Sequence, residues 1–418
     1  MAFQGSAMKA KIQIKLSVMM FLEFFIWGAW FVTMWKYLAA IQFDAITGLA
    51  YSTTGIAALI SPLFVGMIAD RFFSTEKVLA ALHFAGAFLM FWASTITDST
   101  FFFWVLLAYT VCYMPTLALT SSISMGQMTH PEKEFPAIRV LGTIGWIAAG
   151  LIVGFMPQSI SGLETIENTA LPMKIASGAS LVMAVYCLFL PHTPPASAGQ
   201  KITLSDVLCL KALKLLKDPA FTVFVVCSLL VCIPLAFYYQ SANGFLGEVG
   251  IQNAAAKMTF GQMSEICFIL VMPLFFARLG IKKMLLVGIF AWVLRYLLFA
   301  FGDSGSRAMM LYAGILLHGV CYDFFFVTGQ IYVDKKAPRE IQASAQGFLA
   351  LVTLGLGMVI GNLINGYITR HYVIKGDPVS HNWTMIWLIP CVMAAVVMVV
   401  FALWFKENVK LETEPHPL

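Results

Sequence analysis

Charge is what this sequence has least of. Asp, Glu, Lys and Arg together make up 11% of its 418 residues, where a soluble protein carries about one-quarter. So little polar surface cannot solvate a water-soluble fold of this length, which excludes soluble enzymes, nucleic-acid binders and secreted modules as readings of the whole chain. The 26 basic and 21 acidic residues leave a formal charge of +5, but they are scattered over short connections, and no basic tract forms a nucleic-acid site. There is no Cys-x-x-Cys pair and no cysteine cluster beside histidine. The eight cysteines, Cys112, Cys187, Cys209, Cys227, Cys232, Cys267, Cys321 and Cys391, fall mostly inside apolar runs, as small packing residues do. No His-rich metal cluster, Ser/Lys dyad or Gly-Asp protease signature falls in an apolar run, so an intramembrane enzyme is not expected, and neither is a cofactor or metal.

What is there is apolar: 60% hydrophobic residues, with 35 Phe, 31 Gly and 23 Met, and a mean hydropathy of +0.83. Crossing a hydrocarbon core takes about 20 apolar residues. On that basis the spacing predicts an all-α membrane protein with twelve spans, near 16–37, 47–69, 78–97, 101–126, 136–156, 172–190, 219–242, 257–277, 284–302, 308–332, 342–369 and 383–405. Residues 1–15 read as a leader, Met1–Ala7, that looks foreign to the protein, followed by a short N-terminal segment. Residues 16–190 then form a first six-helix bundle, 191–218 a linker, 219–405 a second bundle and 406–418 a tail. The first span is too long for a cleaved signal and lacks a small-residue cleavage site.

Eighteen Lys and Arg fall on the connections that share a side with the amino terminus, against four on the opposite connections. The positive-inside rule therefore puts both termini in the cytoplasm. The linker holds the Pro-rich run His192–Gly199 and a Lys-spaced segment, 204–217, suited to lying along a membrane surface. The halves echo each other at an offset of about 207 residues. Gly66-Met-Ile-Ala-Asp70-Arg71 after the second span answers Ala277-Arg278-Leu-Gly280-Ile-Lys282-Lys283 after the eighth, and Pro136-Ala-Ile-Arg139 answers Pro338-Arg-Glu-Ile341. Two six-helix repeats joined on the cytoplasmic side are how rocking secondary transporters are organised.

Ionisable residues inside spans are costly and are functional candidates by default; here they include Glu23, Arg139, Glu265, Arg295 and Asp323. Gln262 and Glu265, three apart, share a helix face and set an amide beside a carboxyl, either for a hydroxyl-rich ligand or as a clamp between helices. Arg139, Thr143 and Trp146 form one stripe of guanidinium, hydroxyl and ring, suited to a sugar-linked base, unless Arg139 pairs with Glu134 and Trp146 merely packs. His318 and Tyr322 share a face, while Asp323 is turned about 140° from His318 and either pairs with Arg295 or takes part in transport. Glu23 either adds a protonatable site or reaches interfacial water.

The Gly-x-x-x-Asp70-Arg71 run resembles the loop motif of the major facilitator superfamily. That resemblance implies that Asp70 and Arg71 form a cytoplasmic latch between the halves. Trp27-Gly-Ala-Trp30, Tyr113-Met-Pro-Thr116, the run Phe135–Gly145, Gln262-Met-Ser-Glu265, Tyr322-Asp323-Phe324 and Ala343-Ser-Ala-Gln346-Gly347 resemble the nucleoside:proton symporter family over nearly the whole chain. They lie nearer its enteric nucleoside-transporter branch than its enteric nucleoside permease. The resemblance implies proton-coupled nucleoside import across a bacterial inner membrane, with Gln262 and Glu265 serving substrate and proton. The family's amides on the seventh span align with Ala236 and Tyr239, so Gln240 and Asn243, three apart, are candidates to replace them, with Tyr239 a further substrate-site candidate, and the preferred nucleoside is left open. No ATP-binding loop occurs, so an ion gradient must drive transport. Expected partners are a nucleoside, protons and lipid, without nucleic acid, and the expected state is a monomer. A sugar symporter of the same fold is the alternative, and a non-transporting membrane sensor a more distant one.

Overall fold

The computed structural model describes residues 2–128, 131–157, 165–194, 209–376 and 379–406, with side chains described outside 2–9, 62–72 and 131–133. The linker run 195–208 and the tail beyond 406 lie outside the described residues.

Nearly everything described is helical: α1 (Ala2–Trp30), α2 (Met34–Ala40), α3 (Thr47–Phe72), α4 (Thr75–Ala93), α5 (Ser99–Gly126), α6 (Pro131–Phe155), α7 (Leu171–Cys187), α8 (Pro219–Glu248), α9 (Ala254–Phe301), α10 (Ala308–Leu316), α11 (His318–Tyr322), α12 (Thr328–Lys336), α13 (Gln342–Ala350), α14 (Met358–His371) and α15 (Trp383–Trp404). A backbone crossing lipid must satisfy its polar groups internally, and helices do so within one segment. Helix starts are capped where the sequence supplies an acceptor. Asp98 accepts from the Phe101 amide at 2.7 Å, Asp218 from Ala220 and Phe221 at 2.8 and 3.1 Å with Pro219 in the first turn, and Asn382 from Met385 at 3.2 Å. Among the described residues, nine helices are long and apolar enough to cross a membrane, and the chain is a multi-pass membrane protein.

Several expected spans take a different form. The first breaks between Trp30 and Met34, where the Trp35 amide donates instead to the Tyr51 hydroxyl at 3.1 Å. Within Ala254–Phe301 two helices meet at Gly280, between the expected eighth and ninth spans; its φ of 68° lies in the left-handed region that a glycine adopts without strain and breaks the helix there. The tenth and eleventh are interrupted by wide π-type turns, Asp323–Val327 and Leu351–Gly357, a form that recurs at functional sites.

The helices sort into two groups. In the first, α1 packs on α6 and α7, α4 on α5 and α7, and α3 on α5. In the second, α9 packs on α10, α11 and α15, and α8 on α14 and α15. The groups meet along two seams, α3 against α14 and α6 against α9. Phe84, Phe88, Leu270, Leu274 and Val392 are exposed on the outside, where lipid would cover them. Glu23, Arg295 and Asp323 are fully buried. A short hairpin, β1 (Val373–Ile374) with β2 (Ser380–His381), joins α14 to α15.

Candidate functional site

Between the groups lies a cavity of about 100 Å³. One wall comes from α1 (Phe24, Trp27), the break after it (Phe31), α3 (Thr54), α5 (Met114) and α6 (Arg139, Thr143, Trp146). The other comes from α8 (Leu235, Tyr239), α9 (Gln262, Glu265), α11 (His318, Tyr322), and Leu354 and Met358. Arg139 lies over the Phe24 ring at 4.1 Å, a cation–π contact that holds a charge in an apolar wall. The Trp146 ring meets Trp27 at 5.4 Å and, across the cavity, Tyr239 at 6.4 Å.

Which face of α9 looks inward is fixed by Ser264. Its hydroxyl donates to the Leu316 carbonyl at 2.7 Å and accepts from the Gly319 amide at 3.0 Å, tying α9 to the start of α11. Gln262 and Glu265, on either side of Ser264 in sequence, are thereby turned to the cavity. Arg139 is close enough to Glu265 for their charges to interact. The site therefore offers a fixed cation, an amide, a carboxyl and several ring faces within one space. That combination holds a planar ring by its faces and a hydroxylated group by hydrogen bonds.

Four expected placements need correction. Gln240 is fully buried outside the cavity, with neither amide atom partnered among the described residues, because one residue along a helix turns the side chain by about 100° from Tyr239. Asn243 lies one turn beyond Tyr239, past the end of the cavity, where its amide donates to Glu167 at 3.2 Å. Asp323 does not pair with Arg295. It starts a π-type turn with both carboxyl oxygens unpartnered among the described residues, while Arg295 donates to His318 Nδ1 at 3.1 Å. Glu23 does not reach interfacial water. It meets His83 Nε2 at 3.0 Å and accepts from the Thr116 hydroxyl at 2.6 Å inside the first group. The Asp70 and Arg71 side chains lie outside the described residues.

Two constellations escaped the sequence reading. His83 is one: a fully buried histidine in a span is itself a signal, but its partners Glu23 and Ser180 come from other helices. The other is Glu167, in a turn outside every span, so that intramembrane charge did not point to it. One buried carboxyl there takes Lys36 Nζ at 2.6 Å, the Asn243 amide and the Ala255 backbone amide at 3.0 Å, bridging the two groups at one end of the bundle. Among the described residues no cluster of His, Cys, Asp and Glu is arranged to hold a metal.

Residues 9–410 match the family model described as nucleoside H+ symporter. Over 404 residues, 95% of both chains, the protein is 48% identical to the Escherichia coli (strain K12) protein named "Putative nucleoside transporter YegT". It is 32% identical to the xanthosine permease of the same organism over 97% of this chain and 98% of that one. A solved structure of a point mutant of the nucleoside transporter NupG superposes with a TM-score of 0.86 at 31% identity, covering 94% of this chain and all of the other. By sequence along nearly its full length, and by fold, this chain belongs to the nucleoside H+ symporter family.

Proposed function

We propose that the protein carries nucleosides into the cell together with protons, by alternating access between two bundles of the major facilitator type. The observation that carries this reading is the cavity itself. Arg139, Thr143 and Trp146 from one group face Tyr239, Gln262, Glu265, His318 and Tyr322 from the other, so a ligand there touches both groups and its binding bears on how they rock. Trp146 and Tyr239 suit a base, and Gln262 and Glu265 a ribose.

Of Glu23, Glu265 and Asp323, only Glu265 lines the cavity, and we assign it the coupling proton. A neutral carboxyl crosses an apolar, occluded state at much lower cost than a carboxylate. Proton and ligand sharing one site then favour each other by the same coupling free energy. Glu23, held by His83, and Asp323 are secondary candidates for protonation. Asp70 and Arg71 complete the reading as a charge latch at the cytoplasmic end.

We further read α9 as two crossings divided at Gly280 and add α3 and α7, which brings the nine long helices to twelve in two sets of six, residues 16–190 and 219–405. The bias of basic residues places both termini in the cytoplasm of a cell with this chain in its inner membrane. The test is uptake of labelled uridine into proteoliposomes under an imposed pH gradient. Accumulation that collapses with the gradient and is competed by nucleosides is expected. Competition by free sugars alone would replace this reading with a sugar symporter, and absence of any flux would end it.

A further inference from the structure

Arg295 is wholly buried on α9 beyond the Gly280 bend, with its guanidinium 3.4 Å from the Tyr238 ring centroid. Its Nη1 lies 3.1 Å from Nδ1 of His318. A guanidinium has only hydrogens to offer, so Nδ1 accepts and the imidazole carries its proton on Nε2. A second proton on Nδ1 would set one N–H against another across that distance.

His318 forms part of the cavity wall. Tyr238 stacks on it at 5.2 Å, Tyr239 meets it edge-on at 6.2 Å, and Tyr322 lies at 5.9 Å. The Glu265 Oε2 is 3.9 Å from its Nε2, beyond hydrogen-bond reach. Among the described residues Nε2–H has no acceptor. Thus a ring whose position and proton are both fixed presents one unused donor to the cavity that Trp146 and Tyr239 also line.

We propose that Arg295 is a positioning residue that locks His318 as an Nε2–H donor, and that this donor selects nucleosides whose base presents a carbonyl oxygen there. The inference rests on the nucleoside reading. It assigns the two sides of the site opposite polarities: the Glu265 carboxyl takes hydroxyl protons of the ribose, and His318 takes a lone pair of the base. A base without that carbonyl leaves a buried donor unpaired, which is the strong form of discrimination available to a polar site.

Binding to the purified full chain is compared for two pairs: uridine against pyrimidin-2-one riboside, and inosine against purine riboside. Each pair differs by the loss of one base carbonyl together with the proton on the adjacent ring nitrogen. Wild type is expected to prefer the carbonyl-bearing member of at least one pair by about tenfold or more. His318→Phe should reduce that preference to about twofold, with the larger loss of affinity falling on the carbonyl-bearing member. Arg295→Met should weaken the preference, and Arg295→Lys, which restores an N–H toward Nδ1, should recover it. A wild type without preference in either pair, or a His318→Phe variant that keeps it, overturns the inference but leaves nucleoside transport standing. Failure to bind any nucleoside overturns both. The tautomer is read independently on the wild type from imidazole nitrogen shifts after ¹⁵N-histidine labelling, the chain having seven histidines and the His318 signal being identified by its loss in His318→Gln. A protonated Nδ1 also overturns the inference.

Discussion

Glu265 and Trp146 are the residues at which chemistry and geometry can be separated by single substitutions. Glu265→Gln keeps a hydrogen-bonding side chain in the cavity but cannot release a proton. It is expected to retain nucleoside binding and exchange while losing accumulation against a gradient. Counterflow and pH-driven uptake measured on the same vesicles separate the two, and wild-type accumulation in that variant would move the proton to Asp323 or Glu23. Trp146 contributes ring surface from α6 opposite Tyr239. If a base stacks there, Trp146→Ala should weaken binding by about 1–3 kcal/mol, read by titration calorimetry, and unchanged affinity would reduce Trp146 to packing. Both residues are legible in the sequence alone, because each sits at helical spacing from a polar partner. Gln240 is misplaced by the same logic, since proximity along the chain does not specify a face.

At the scale of elements, the junction between α8 and α12 sets a pH dependence outside the spans. Asp218 caps α8 and lies 2.8 Å from Lys336 at the end of α12. Its hydrogen bond to Lys336, aided by the Phe221 and Ala220 amides, holds its carboxyl below the usual range. A lowered carboxyl stabilises the fold above its unfolded pKa, and that contribution is lost as pH falls through the folded value. The Asp218 contribution should therefore be complete at neutral pH and fade below about pH 4. Asp218→Ala is expected to cost about 1 kcal/mol as a lost cap, with less from the partly exposed ion pair. Melting curves in detergent at neutral and acid pH check this, and an Asp218→Ala deficit that persists undiminished in acid would refute it.

For the whole molecule, the α3–α14 seam closes tightly where Gly48 faces Gly366. A Cβ on Gly48 would lie 2.8 Å from the Asn362 carbonyl oxygen and 3.1 Å from Gly366 Cα, so only glycine lets these backbones meet. The Glu167 bridge from Lys36 to Asn243 and Ala255 also joins the two groups. Gly48→Leu should wedge the seam, abolish net uptake and leave nucleoside binding in place. Maleimide labelling of an Ala255→Cys reporter, buried in this structure, should rise in that background. Unchanged labelling together with normal uptake would show that the seam need not close as described.

Composition and apolar run length by themselves determined that this chain is a helical membrane protein, because lipid forces spanning backbones into helices and requires about 20 apolar residues for each crossing. Helical spacing also placed Arg139 with Thr143 and Trp146, and Gln262 with Glu265, since neighbours three or four apart must share a face. Tertiary structure alone decided partnership across helices: that Arg295 serves His318 rather than Asp323, that Glu23 is held by His83 and Thr116, and that Glu167 bridges the two groups. No periodicity encodes those pairings. Each depends on the rotation and depth at which separate helices dock, which are set by the packing of many side chains at once.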